Sequence, residues 1–159
     1  LRNDLPSAKL HYSAAYDLAS SIDLWPVALL SSAGLAMCGQ RLGDRRALDR
    51  WAQTARQLAG SRASVLHDRW TIEAAIAWHT VLVHNDPATA ISALDRACRE
   101  LARRDVDHWL RLELEHLRIA RHVGLRPDKD RYALLITAAR RHGAAAVLSE
   151  AMGLSAAAS

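Results

Sequence analysis

Phenylalanine is absent from this 159-residue chain, and lysine, cysteine, proline and glycine are all scarce. With four prolines and seven glycines beside an excess of alanine and leucine, few positions break a helix, which favours helix almost throughout. No apolar run approaches the roughly 18–20 residues that a membrane helix requires, so we expect no membrane partner. The two cysteines, Cys38 and Cys98, form no CxxC pair, which indicates a reduced, cytoplasmic setting.

The motifs that carry most catalytic chemistry are also missing. The sequence has no Gly-rich phosphate loop, nucleophile elbow or paired-carboxylate signature, so it predicts no enzyme, no catalytic residue and no cofactor. Among eight histidines there is no HExxH motif. Glu113 and His116 form a single Glu-x-x-His, whereas a di-iron bundle needs two such motifs and two further carboxylates. We therefore expect no metal site.

The charge of the chain says little about its partner. The formal net charge is +4, and a basic excess this small permits an acidic partner without demanding one. Arginine outnumbers lysine by 19 to 2, which indicates a GC-rich bacterial genome. The chain opens at Leu1 without a methionine or a signal peptide, so we expect it to be a piece of a larger protein.

Apolar periodicity, prolines and glycines predict eight helices in a single domain, residues 1–154, followed by a frayed tail at 155–159. The predicted helices are 7–21, 25–41, 44–60, 62–84, 86–104, 106–123, 128–142 and 144–152. The loops between them are short, which favours antiparallel neighbours. Between Thr71 and Val83 the only formal charge is Glu73, so the fourth helix is expected to be the central core helix.

A weak internal repeat has a spacing of 43 residues. Two columns of small residues keep this spacing, and the second follows the first by 13 residues. The columns are Gly34, Ala77, Ala120 and Ala47, Ala90, Ala133. A fixed period with small residues where helices approach closely is typical of an array of helical hairpins.

One stretch of the chain resembles a known family. Residues 85–91, Asn-Asp-Pro-Ala-Thr-Ala-Ile, followed by Leu94 and Ala97, resemble the second helix of a tetratricopeptide hairpin. Gly43-Asp44 with Ala47, Trp51 and Ala55 is similar but one residue out of step, and the stretch around Ala133 departs further. The period of 43 also exceeds the family's unit of about 34 residues.

A longer unit of this kind is similar to the degenerate repeats of large bacterial ATP-dependent transcription activators of the maltose-regulator type. The resemblance covers about residues 24–142. It implies an all-α, right-handed α-solenoid of antiparallel helical hairpins. It also implies a protein- or peptide-binding scaffold or sensor module of a larger bacterial regulatory protein, with a role in signalling and transcription regulation.

Four arginines are the predicted partner-binding residues. Arg96, Arg99 and Arg103 follow one another at i, i+3 and i+7 of the predicted fifth helix. Arg56 precedes Arg99 by one 43-residue period, so stacked hairpins would align the two. Such a row suits an acidic segment, since each guanidinium offers a planar fork of donors. The alternative is a solvated face that nearby carboxylates partly neutralise.

Two other functions remain open from the sequence. The first is a compact helical bundle with a small-ligand or metal site, in which Glu113 and His116 would be ligands. The second is nucleic-acid binding through the arginine row, which would weaken steeply with salt. We do not expect nucleic acid to be the partner of this segment.

Overall fold

The computed structural model describes residues 4–60, 69–126 and 129–157, and within these ranges the chain is helical with no strand. An all-α fold is therefore confirmed, while the solenoid arrangement and its handedness stay predictions. The helices are α1 (Leu5–Ser21), α2 (Trp25–Arg41), α3 (Arg45–Ala59), α4 (Arg69–Leu82), α5 (Pro87–Leu101), α6 (Val106–His122), α7 (Lys129–Arg141) and α8 (Ala145–Ala156). They form two compact units, Leu1–Asp86 and Pro87–Ser159.

Short polar caps and left-handed residues set the helix ends. The Asp44 carboxylate accepts a hydrogen bond from the Ala47 amide at 3.0 Å, which caps the start of α3. Gly43, just before it, has φ +70°, and the Asp44 amide bonds back to the Gly39 carbonyl at 2.8 Å. This closure lets three residues connect α2 to α3, and it explains why the glycine and aspartate marked the boundary in the sequence.

In the first unit α2 is the central helix. It packs against α1, α3 and α4, and an uninterrupted buried run extends from Ser31 to Gly39. Two glycines allow this packing, because a Cβ on Gly34 would lie 2.7 Å from the Tyr12 ring and one on Gly39 would lie 2.8 Å from the Leu48 amide nitrogen. The expectation that the fourth helix is the central core helix is wrong for this unit. α4 is apolar, but α2 has the longer buried run and packs against α1, α3 and α4.

In the second unit α6 has the central position. It packs against α5, α7 and α8, and it buries leucines on several sides of the helix. Helix α8 packs on both α6 and α7 and continues to Ala156. The predicted frayed tail therefore begins too early, because Ser155 and Ala156 are helical. Residues 158–159 lie outside the described residues, as do residues 62–68 of the predicted fourth helix.

The two columns of small residues differ in their packing. The first column is buried at all three positions: Gly34, Ala77 and Ala120. In the second column Ala90 is buried, but Ala47 is half-buried and Ala133 is exposed. The first column therefore marks helix positions that need small side chains, and the second does so only in part. No helix in the described ranges is long and apolar enough to cross a bilayer.

Candidate functional site

The four predicted arginines are all exposed, but they belong to different elements. Arg96 and Arg99 lie on α5, and Arg103 lies in the turn that follows it. Because α5 ends at Leu101 rather than at residue 104, the predicted i, i+3, i+7 stripe does not continue to Arg103 as helix. Arg56 lies on α3 of the first unit. That it shares a surface with the other three stays a prediction.

Arg99 lies at an open cavity of about 400 Å³ in the second unit. One face of α5, from Pro87 to Arg99, supplies one wall, and the segment after α6 supplies the other. Most of the lining is small or apolar, and the charged side chains among it are Asp95 and Arg99. The lining residues are Pro87, Ala88, Ile91, Ser92, Asp95, Arg99, Val123 and Leu125.

Asp95 connects this cavity to a polar network in the interior. Its Oδ1 accepts a hydrogen bond from Nη1 of Arg131 on α7 at 2.8 Å. The same oxygen lies 3.1 Å from Nε2 of His116 on α6. Asp95 therefore forms its ion pair with Arg131 and not with Arg99. Among the described residues Arg99 has no carboxylate partner.

Glu113 is the buried acid of the network. Its side chain is only 5% exposed, and both carboxylate oxygens accept from Arg131, one from Nε and the other from Nη2 at 3.1 Å. Burial opposes the charge on Arg131, but Glu113 and then Asp95 outweigh this effect and hold the Arg131 pKa above its ordinary value. Burial, followed by the charge of Glu113, raises the pKa of the Cys98 thiol, so that this thiol stays protonated.

His116 is enclosed in the same network as a neutral ring. Burial is the main cause of its lowered pKa, and the nearby Arg131 charge lowers it further. Neither ring nitrogen has a hydrogen bond of good geometry among the described residues. The Glu-x-x-His spacing thus places Glu113 and His116 in one cluster, but both oxygens of the Glu113 carboxylate are hydrogen-bonded to Arg131. In the described part of the chain no group of three His, Cys, Asp or Glu side chains is arranged to hold a metal ion.

The first unit contains a smaller polar pair. Nε2 of His79, a fully buried side chain on α4, lies 2.8 Å from Oδ1 of Asp49 on α3. The His84 ring stands edge-on to His79 with ring centroids 4.6 Å apart. Two residues five apart do not share a face of a continuous helix, but α4 ends at Leu82, and the turn that follows brings His84 back to His79. Burial lowers the pKa of His79, so this pair stabilises the packing of α3 on α4 with a neutral ring.

The sequence did not single out Arg131 or Asp95 as site residues. Asp95 stands four residues before Arg99, and the sequence suggests that it is one of the carboxylates that partly neutralise the charge of the arginine row. Arg131 belongs to a different helix, so no spacing along α5 reveals that it engages Asp95 instead. One usable signal in the sequence was the position of Glu113 among leucines on one helix. Such a position predicts a buried acid, and a buried acid requires a cationic partner.

Comparison with protein-family models, with curated proteins and with solved structures gave no match. The functional inference therefore rests on the chemistry of the second unit. There Asp95 belongs both to the lining of the cavity and to the interior ion network. Arg99 lines the same cavity.

Proposed function

We propose that this chain is a protein- or peptide-binding module of a larger bacterial regulatory protein, and that α5 of its second unit binds an acidic segment of the partner. The observation that supports this most is the free guanidinium of Arg99 at the edge of the apolar cavity. The 43-residue repeat supports the further proposal of a right-handed solenoid of tetratricopeptide-like hairpins.

The cavity and the arginine suit two neighbouring side chains of a peptide. Ile91, Val123 and Leu125 provide apolar contacts for one aliphatic side chain, whose transfer from water favours binding. Arg99 can then donate two hydrogen bonds to a carboxylate beside it. Asp95 points its ion pair at Arg131, so the Arg99 guanidinium is not hydrogen-bonded to it and can meet that carboxylate.

Arg96 and Arg103 extend the positive charge along the peptide. Arg96 stands three residues before Arg99 on α5, which places the two guanidinium groups on neighbouring positions of the helix surface. Exposed single ion pairs contribute only about 0.2–1 kcal/mol, so Arg99 alone would not hold a peptide. Several arginines acting with one buried apolar contact are needed, and this predicts weak, salt-sensitive binding.

The test uses three fluorescein-labelled twelve-residue peptides and fluorescence anisotropy with the full chain. One peptide contains a leucine flanked by glutamates, the second replaces the leucine by serine, and the third replaces the glutamates by lysines. We expect only the first to bind measurably, and we expect its affinity to fall as salt rises, because the contacts with the arginines are exposed.

Two variants separate the proposed site from general positive charge. Arg99→Glu should weaken binding of the Leu/Glu peptide by at least about tenfold, because it replaces an attraction by a repulsion at the cavity. Arg140→Glu changes another exposed arginine of the second unit that lies outside the cavity, and it should leave the affinity within about twofold. Equal losses in both variants would contradict the site. Tighter binding of a DNA oligonucleotide than of the peptide would favour the nucleic-acid alternative.

A further inference from the structure

Helix α1 of the first unit has an apolar face that is exposed. Its opposite face, marked by the buried Ala19, packs against α2. The exposed face carries Leu10, Ala14 and Leu18 at i, i+4 and i+8, followed by Ile22 just after the helix; we call these four residues the outer stripe. Leu10 is 71% exposed, Leu18 64% and Ile22 62%. Single exposed apolar residues are normal on a monomer, but a stripe along one helix face indicates an interaction surface.

The residues around Ala14 are arranged symmetrically about it. Leu10 stands four residues before it and Leu18 four residues after it, while His11 and Asp17 stand three residues before and after it. At about 100° of rotation per residue, the leucines lie roughly 40° and the two polar residues roughly 60° to either side of Ala14. All five are exposed. A twofold axis beside Ala14 would therefore match leucine with leucine and histidine with aspartate of a second copy.

We propose that the outer stripe is a dimer interface, in which two copies of this chain pack α1 antiparallel against each other and cross at Ala14. Each Leu10 contacts Leu18 of the partner subunit, and the small Ala14 lets the two helices approach closely. Packing of i, i+4 ridges is the commonest class of helix contact. At the margins His11 donates a hydrogen bond to Asp17 of the partner subunit. A parallel pair would instead place the two Asp17 carboxylates together.

The small size of the outer stripe predicts a weak dimer. A standard interface buries about 800 Å² on each partner, whereas the stripe offers only three large apolar side chains. We therefore expect reversible association with a Kd on the order of 10–100 µM. A membrane surface suits this face less well, because helices that lie on membranes are rich in lysine and arginine, and α1 contains only Lys9.

Sedimentation velocity of the full chain over about 1–300 µM tests the dimer. The sedimentation coefficient should rise with concentration from that of a monomer toward that of a dimer. Leu18→Glu should weaken the association at least about tenfold, because it places a charge in an apolar contact. Leu134→Glu, a matched change at a leucine of α7 that is 59% exposed, should leave it unchanged. A chain that stays monomeric throughout would overturn the proposal, and so would equal losses in the two variants.

A charge-swapped double variant tests the antiparallel direction. Leu10→Lys and Leu18→Glu should each weaken the dimer when introduced alone. Combined in one chain, they bring each new lysine opposite a new glutamate of the partner subunit, so the double variant should associate at least about threefold more tightly than either single variant. A parallel pair would bring like charges together. A double variant weaker than both single variants would therefore overturn the antiparallel dimer.

A cysteine at the crossing tests the register. Helix axes about 8–10 Å apart bring facing Cα atoms within disulfide reach, so Ala14→Cys should cross-link two copies on mild oxidation. The native Cys38 and Cys98 are buried and should not compete. Ser20→Cys, an exposed position about 120° away around α1, is the control and should cross-link at least about tenfold more slowly. Equal rates for the two variants would overturn the proposed register.

Vesicles distinguish the second copy from a lipid surface. The chain should not sediment with phosphatidylcholine vesicles that contain one fifth phosphatidylserine. Sedimentation with these vesicles by a chain that is monomeric in solution would assign the outer stripe to a membrane and overturn the dimer. The peptide experiment depends on Arg99 of the second unit, so this proposal and the proposed function fail independently.

Discussion

Replacing Arg131 by methionine tests whether the interior network holds the second unit together. Methionine keeps much of the apolar stem of arginine but removes every donor. The change deprives Glu113 of the guanidinium that meets both of its oxygens, and it deprives Asp95 of its 2.8 Å hydrogen bond. Glu113 is then left as a buried acid without its arginine partner, beside the Cys98 thiol, which stays protonated.

The expected cost follows from the burial of the partners. Removal of one member of a fully buried ion pair typically destabilises a protein by about 3–5 kcal/mol, because an uncompensated charge remains in the interior. The Glu113 side chain is 5% exposed, but those of Arg131 and Asp95 are 26% and 33% exposed. Water can therefore reach the space that the guanidinium vacates. We expect a loss near the lower end, about 3 kcal/mol in the free energy of unfolding.

A double variant isolates the ion pair from other effects of the substitution. In Glu113→Met with Arg131→Met no buried acid remains without a partner. Paired replacements of this kind are often close to neutral. We expect the double variant to recover at least half of the stability that Arg131→Met loses. Arg140→Met, a matched change at an exposed position of α7, should stay within about 0.5 kcal/mol of the original chain.

Urea unfolding followed by fluorine NMR of 5-fluorotryptophan can measure these effects unit by unit. Trp109, a buried residue of α6, is the one tryptophan in the sequence of the second unit. The other four tryptophans belong to the first unit. The Trp109 resonance should lose its folded signal at lower urea in Arg131→Met. A loss below about 1 kcal/mol, or a double variant as unstable as the sum of the two single variants, would refute the reasoning.

Three further outcomes follow from packing and titration. Gly39→Ala should cost about 1–3 kcal/mol in urea unfolding, because its Cβ would lie 2.8 Å from the rigid Leu48 amide nitrogen. Gly34→Ala should cost less, because its Cβ meets only a partly exposed tyrosine ring. The reverse order of the two losses would contradict the packing. The free energy of unfolding should fall as pH drops below 6.5, because unfolded His116 takes up a proton there while the folded ring, with its lowered pKa, does not. His116→Gln should reduce the slope of this free energy against pH by at most about 1.4 kcal/mol per pH unit. An unchanged slope would exclude His116 as a cause. Ala90→Leu should overpack a buried position and cost about 1–3 kcal/mol, so an unaltered thermal midpoint would disprove close packing there.

The sequence predicted the helices well because their ends are encoded locally. Trp25 and Arg41 bound the second helix as predicted, and the Asp44 cap and Gly43 turn lie where the residues indicated them. Helix-forming tendency, a side-chain cap and a left-handed glycine each act within a few residues. The predicted boundary at residue 104 was wrong because the end of α5, at Leu101, has no glycine or proline to mark it.

The site was less predictable because its partners come from different helices. Spacing along α6 put Glu113 and His116 on one face, which raised the question of a metal. The cation beside Glu113 is instead Arg131, which lies 18 residues later in the chain. It reaches Glu113 only because α7 packs against α6. In the same way the spacing of Glu115 and Arg118 along α6 is compatible with their ion pair, but it does not show that the acid is buried.

Successive residues of α7 belong to the interior network and to a larger cavity of about 830 Å³. Arg131 holds Asp95, which lines the cavity beside Arg99, and Tyr132, the next residue, lines the larger cavity. Successive side chains of a helix project about 100° apart, so one rotational setting of α7 determines both contacts. Leu125 lies in both linings. A change that frees α7 from Glu113 and Asp95 therefore removes the support of Tyr132 as well. For this reason Arg131→Met should also disturb the packing of Tyr132, whereas Tyr132→Phe, which removes a hydroxyl with no partner in the network, should leave the Arg131 contacts intact.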